Sequence, residues 1–279
     1  VTSADASVET WSGKGRGDEN FPVGSVLISP ALRPHVHAFY QFARNADDIA
    51  DSPSLTPDDK LVRLAVMEAV LVGRQQNGSP SAAALRRSLE ATGVPVQHSL
   101  DLLSAFRQDA RQTRYADWNA LLDYCAHSAM PVGRHVLDLH RESRETWPAS
   151  DALCASLQVL NHVQDAKRDL LALDRCYLPL DLLARAGARV EDVRSAAETR
   201  ALRSVFSDLL AQCDALNETA SQLPRLVADR RLRIETGVIL GLARRLTARL
   251  HAGDPLATRV KLKGIDVVTS ILGALRFAA

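Results

Sequence analysis

No apolar run in the chain approaches the ~20 residues needed to span a bilayer, so the sequence offers no transmembrane anchor. The four cysteines, Cys125, Cys154, Cys176 and Cys213, show no C-x-x-C spacing. That argues against zinc and against a disulfide framework, and it fits a reducing cytoplasm. A formal net charge of +1 hides no basic tract, so charge gives no reason to expect a nucleic-acid partner. Strand signals are nearly missing as well: period-2 alternation never persists, and Asn77-Gly78 sits in a loop rather than between two strands. Residues 1–18 are polar and glycine-bearing and lack the apolar segment of a signal peptide. They are expected to form a flexible leader ahead of a folded region at 19–279.

What is present is helical periodicity, punctuated by proline and glycine. The pattern predicts helices at about 31–46, 57–75, 81–91, 97–109, 117–141, 150–171, 190–219, 224–250 and 255–276. Thr56 before Pro57 reads as an N-cap and first helical position, with Asp58 and Asp59 suited to the positive helix end. The strings NGSPS (77–81) and TGVP (92–95) read as turns. No linker long enough to divide the chain is visible, and no fixed-period repeat. The last four long segments are rich in leucine and alanine, with arginines opposite, as in helices packed around a shared core. The expectation is a single all-α domain.

Two acidic strings stand out. In FYQFARNADDIAD (39–51), Asp47 and Asp51 lie one above the other on a helical face, and Arg44 is one turn earlier. In NHVQDAKRD (161–169), Asn161, Asp165 and Asp169 repeat that step twice. Carboxylates so placed repel one another and weaken a helix unless a cation lies between them. Hard oxygen ligands without histidine or cysteine favour Mg²⁺, which takes one or two carboxylates and leaves room for water and phosphate. Two such helices could clamp a diphosphate, with Arg44, Lys167, Arg168 and Arg175 adding positive charge. A lone D-x-x-x-D is more often a solvated face. Spacing by itself leaves both readings open.

The full strings carry more. FYQFARNADDIAD resembles the first aspartate-rich motif of the squalene/phytoene synthase family, Y-x-F-x-R-x-x-D-D-x-x-D. LQVLNHVQDAKRDLLALDRCYLP (157–179) resembles the second, and YCAHSAMPVGRHVL (124–137) the Tyr-Cys helix between them. Order and separation match, and the resemblance runs from about residue 19 to the end. There are departures. Gln164 stands where relatives have arginine, Pro131 lies inside a helix, and one extra residue separates Asp169 from Arg175. ENFPVGS (19–25) replaces a serine-containing opening. With RRLRIETG (230–237) and DPLATRVKL (254–262), these features look like the bacterial hopanoid-pathway branch, the hydroxysqualene synthases.

The resemblance implies an isoprenoid-synthase-type helical bundle around an apolar cavity. It also implies a Mg²⁺-dependent loss of diphosphate from presqualene diphosphate, followed by capture of the C30 cation by water. Enzymatic alternatives are condensation of two prenyl diphosphates to presqualene diphosphate, squalene or phytoene; a non-enzymatic one is a degenerate helical partner in a lipid-synthesis complex. By the same resemblance, Asp47, Asp51, Asn161, Asp165 and Asp169 would be the metal–diphosphate ligands. Arg44, Arg175, Gln158 and Asn20 would touch substrate, and Tyr40, Tyr124 and Tyr177 would stand near the reacting chain. Each also has a plain structural reading: ion pairs for the arginines, satisfied core groups for the tyrosines and the glutamine. His127 and His162 read as structural histidines. VTSILGALRFAA at the C-terminus is expected to pack on the core, with peripheral contact to the cytoplasmic membrane face, or to adjacent pathway enzymes, as the alternative.

Overall fold

A computed structural model describes residues 7–9 and 27–277. Among the described residues twelve α-helices follow in order: α1 Arg33–Asp51, α2 Pro57–Leu71, α3 Pro80–Thr92, α4 Gln97–Asp109, α5 Trp118–Ser128, α6 Met130–Leu139, α7 Trp147–Leu173, α8 Leu180–Ala186, α9 Arg200–Ala220, α10 Leu223–Leu226, α11 Arg230–Ala252 and α12 Gly264–Ala274. Short 3-10 turns fill some joints, and among the described residues the only β-type pairing is an isolated bridge between Arg114 and Cys176. The all-α expectation holds. The chain divides into two compact units, one of residues 1–111 and 134–142, the other of 112–133 and 143–279.

In the first unit α1 packs on α2, α3 and α4. Phe42, Ala46 and Ile49 on α1 meet Leu64, Met67, Leu85 and Leu103 in a dry core. Truncating a ring such as Phe42 there would cost about 3–5 kcal/mol. The predicted cap at Thr56 is present: its hydroxyl accepts from Asp59 N–H at 3.2 Å, and the Asp59 carboxylate accepts from Thr56 N–H. Of the expected leader, residues 1–6 and 10–18 lie outside the described residues. Val8 and Glu9 are docked. The Glu9 carboxylate accepts from the hydroxyls of Ser79 and Ser81 and from Ser81 N–H, at the N-terminal end of α3 where an anion is favoured.

In the second unit α7 lies against α5, α9 and α11, and α11 also carries α12. Three long helices are joined by a buried polar link: Ser156 donates to Asn217 at 2.9 Å, and Asn217 donates to Thr247 at 3.2 Å. Leaving one member unpaired would cost about 1–3 kcal/mol.

Several predicted boundaries move, each for a local reason. The predicted helix 117–141 is two helices, α5 and α6, with the break at Ala129, because Pro131 is accepted only in a first turn, here that of α6. Residues 190–199 are a 3-10 turn and a loop before Thr199, whose hydroxyl caps Leu202 N–H. The predicted helix 224–250 is interrupted where Asp229 caps α11. Residues 253–263 are irregular, and α12 begins only at Gly264.

Candidate active site

α1 places Tyr40, Arg44, Asp47 and Asp51 on one half-buried stripe of the first unit. Arg44 is divided between two acids, reaching Asp47 at 3.2 Å and the buried Asp48 through two of its nitrogens. Burial first, and then the Asp51 carboxylate, push Asp47 up to about 8 against the pull of Arg44; Asp109 and Asp48 add to the rise. Asp109, the last residue of α4, had no signal in the sequence because its nearness to Asp47 is purely tertiary.

α7 carries the second motif, with Asn161 and Asp169 half-buried and Asp165 buried. Asp165 is held by two guanidiniums. Arg259 grips it in a fork, Nε to one oxygen at 2.9 Å and Nη2 to the other at 3.0 Å, and Arg168 reaches it at 2.8 Å. Arg168 also touches Asp169 at 3.3 Å. Arg259 lies in the irregular 253–263 segment, which α7 binds along its length. Gln164 donates to Val260 C=O at 2.6 Å, and Lys167 donates to Leu256 C=O at 3.4 Å. The glutamine that departs from the family pattern therefore has a role, tethering the segment that delivers Arg259.

The extra residue before Arg175 also has a physical account. Asp174 adopts a left-handed conformation (φ 51°) and ends α7, and Arg114 fastens it through its carboxylate at 2.8 Å and through its carbonyl. The chain turns back there, Arg175 N–H donates to Asp169 C=O at 3.2 Å, and Arg175 and Tyr177 are both buried.

One turn before Asp165, aromatic rings gather. Tyr177 stacks on His162 with centroids 3.5 Å apart and planes 13° from parallel. Tyr124 stands 5.6 Å from Tyr177 and 6.1 Å from His162, and Tyr115 stacks on Tyr177 at 5.4 Å. The Gln158 amide donates to His162 Nε2 at 3.1 Å and so fixes the ring plane. Burial, helped by the charge of Arg175, pushes His162 down to about 3, so the ring is neutral. Tyr115 and Arg259 escaped sequence reasoning. Tyr115 joins the cluster through the bridge at Arg114, and Arg259 sits in a stretch that the sequence marks by resemblance but assigns no role. His127 is exposed, its Nδ1 3.0 Å from Asp123 C=O. Asn20 lies outside the described residues.

The structure thus gathers Tyr124, Gln158, Arg175 and Tyr177 around His162 in the second unit, and Tyr40, Arg44, Asp47 and Asp51 on α1 in the first. Among the described residues no group of three or more histidine, cysteine or carboxylate side chains is arranged as a metal cage. Mg²⁺ needs no such cage, because phosphate oxygens and water complete its shell. The donor set is all oxygen. On α1, Asp47 is buried and crowded enough to hold its proton, and the carboxylates on α7 already attract cationic groups. These residues fit a hard dication.

The squalene/phytoene synthase family profile matches residues 14–266. The hydroxysqualene synthase of Rhodopseudomonas palustris is 46% identical over 275 residues, 99% of this chain and 93% of that one. The hydroxysqualene synthase of Sinorhizobium fredii is 44% identical over 92% of this chain and 88% of its own length. Among solved structures, squalene synthase HpnC from Alicyclobacillus acidocaldarius superposes with a TM-score of 0.73 at 31% identity, covering 82% of this chain and 87% of that one. With both aspartate motifs inside the matched span, the chain belongs to the squalene/phytoene synthase family.

Proposed function

We propose that the protein is a Mg²⁺-dependent hydroxysqualene synthase, converting presqualene diphosphate and water to hydroxysqualene and diphosphate in bacterial hopanoid synthesis. The observation that carries this reading is on α7. Acids held by guanidiniums, suited to an anionic leaving group, stand one turn from a packed set of ring faces suited to a cation. Near full-length identity to two hydroxysqualene synthases supports the same choice.

The division of labour follows from the side chains. Asp47, Asp51, Asn161, Asp165 and Asp169 would hold Mg²⁺, which when bound supplies positive charge to the departing diphosphate. Arg44, Arg168, Arg175 and Arg259 offer further charge, and guanidiniums match phosphate oxygens in paired geometry. Once the C–O bond to diphosphate breaks, the carbocation needs an electron-rich, dry surface. Tyr124, Tyr177 and Tyr115 provide ring faces, and a neutral His162 adds no charge that would repel the cation. Water then forms the new C–O bond and loses a proton to solvent. The enzyme would work in the cytoplasm, in peripheral contact with the membrane; among the described residues no helix is long and apolar enough to cross one.

Purified protein given presqualene diphosphate and Mg²⁺ without NADPH should release a C30 alcohol and diphosphate. Turnover of farnesyl diphosphate alone, with no alcohol from presqualene diphosphate, would refute the reading in favour of a condensing enzyme.

A further inference from the structure

α12 is docked by the wrong face for a core helix. Asp266, Ser270 and Ala274, a polar and small stripe, are its buried residues. Arg249 on α11 grips the Asp266 carboxylate at 2.7 and 3.1 Å, and that carboxylate also accepts from Lys263 N–H at the start of α12. Glycines on α11 bring the two helices close. A Cβ on Gly241 would stand 3.0 Å from the Ser270 side chain, and one on Gly237 would stand 3.2 Å from Ala274 Cβ. With the small face spent on α11, the large apolar residues point outward. Ile265 is 61% exposed, Val268 52%, Leu272 61% and Leu275 51%, at steps of three and four along one face, with Val267 and Ile271 beside them. The expectation that this segment packs on the core is not met: its apolar residues are left in solvent because glycine-rich α11 accepts only the small stripe.

The flank of this ridge is cationic. A groove of about 260 Å³ between α11 and α12 is lined by Arg244, Arg245, Thr269, Ser270 and Arg276, among others. The Ser270 hydroxyl is buried there without a hydrogen-bond partner. Arg244 is shared with Glu218, whereas the Arg276 guanidinium only overlies the Phe277 ring, 4.7 Å from its centroid. An exposed apolar stripe bordered by arginines is the pattern of a helix that lies in a membrane interface. A second copy of the chain is a poor occupant, because a self-complementary contact would bring like-charged arginine flanks together.

The geometry points to the α12 face as the docking surface for an anionic lipid bilayer: Ile265, Val268, Leu272 and Leu275 enter the acyl boundary, and Arg245, Arg276 and the Ser270 hydroxyl receive a lipid phosphate. This gives a location to the peripheral contact proposed above, and it rests on that reading only for the lipid nature of the substrate. The whole protein is tested by flotation with phosphatidylcholine vesicles with and without phosphatidylglycerol, and needs no turnover. The wild type should float with the anionic vesicles. Leu272→Glu with Val268→Glu should lower partitioning by at least about tenfold, and Arg245→Gln and Arg276→Gln by about fivefold each at low salt. All three variants should keep wild-type helicity and wild-type turnover of detergent-dispersed substrate. Equal flotation of wild type and glutamate variant, no flotation of the wild type, or a dimer in sedimentation that Leu272→Glu dissolves would each overturn the proposal. A wild type that turns over substrate but does not float removes the docking surface alone; a wild type that floats but does not turn over removes the reaction alone.

Discussion

On α1, Arg44 is divided between Asp47 and Asp48. On α7, Asp165 alone receives two, from Arg168 and Arg259. The two helices use the same four-residue spacing and reach opposite electrostatic states. On the first, burial and then the neighbouring carboxylates outweigh Arg44, and Asp47 holds its proton up to about 8. The second is balanced by arginines that would have to share or exchange their carboxylates when a dication and diphosphate arrive. Spacing sets where the acids point; burial and the charged groups around them decide what state they rest in.

The largest expected effect concerns chemistry. Asp165→Ala should lower turnover of presqualene diphosphate by about 10³-fold, the scale seen when charge stabilisation of a departing group is lost. Circular dichroism should show unchanged helicity. Normal turnover would remove Asp165 from the ligand set.

Next comes stability on the balanced helix. Asp165→Asn keeps the shape but withdraws the anion from both guanidiniums, so a loss of about 2 kcal/mol in urea unfolding is expected. The two arginines should then separate. Arg259 forms the two-point grip on a carboxylate that is 9% exposed, and Arg168 is itself 56% exposed. Arg259→Ala is expected to cost about 1–2 kcal/mol and Arg168→Ala under about 0.5 kcal/mol. Equal losses would mean that the fork from Arg259 does not form in solution.

This contrast shows how much the sequence could say. The faces of Asp47/Asp51 and of Asn161/Asp165/Asp169 follow from helical geometry, and the letters around them carried the family. Arg259 was not legible, because it reaches Asp165 from an irregular segment with no periodicity to announce it. The extra residue before Arg175 was visible as an oddity, but only the left-handed turn at Asp174 explains it. The outward face of α12 was misread for a related reason. Apolar letters at helical spacing give a face without saying which neighbour accepts it, and Gly237 and Gly241 accept the small one. Helix ends at Thr199 and Asp229 carried ordinary capping residues within runs long enough to hide them.

The effect on the first helix has the most telling sign. Asp47 binds its proton more tightly folded, at about 8, than its ordinary 3.8. Its contribution to stability is therefore full below about pH 4 and is lost as pH rises through about 8. Asp47→Asn fixes the neutral form, so the variant should match the wild type near pH 3 and exceed it by at least about 1 kcal/mol at pH 9. That gain corresponds to about 2–4 °C in Tm. Mg²⁺ should act on the wild type in the same direction by another route, adding about 1.4 kcal/mol at ten times its Kd. EDTA should reverse that gain, and Asp47→Asn should remove most of it. A variant that is more stable at pH 9, blind to Mg²⁺ and slower in turnover would show that the crowding on α1 is kept for function at a cost in stability. If Asp47→Asn is instead less stable than the wild type at pH 9, Arg44 already neutralises the pair, and the two helices rest in the same state after all.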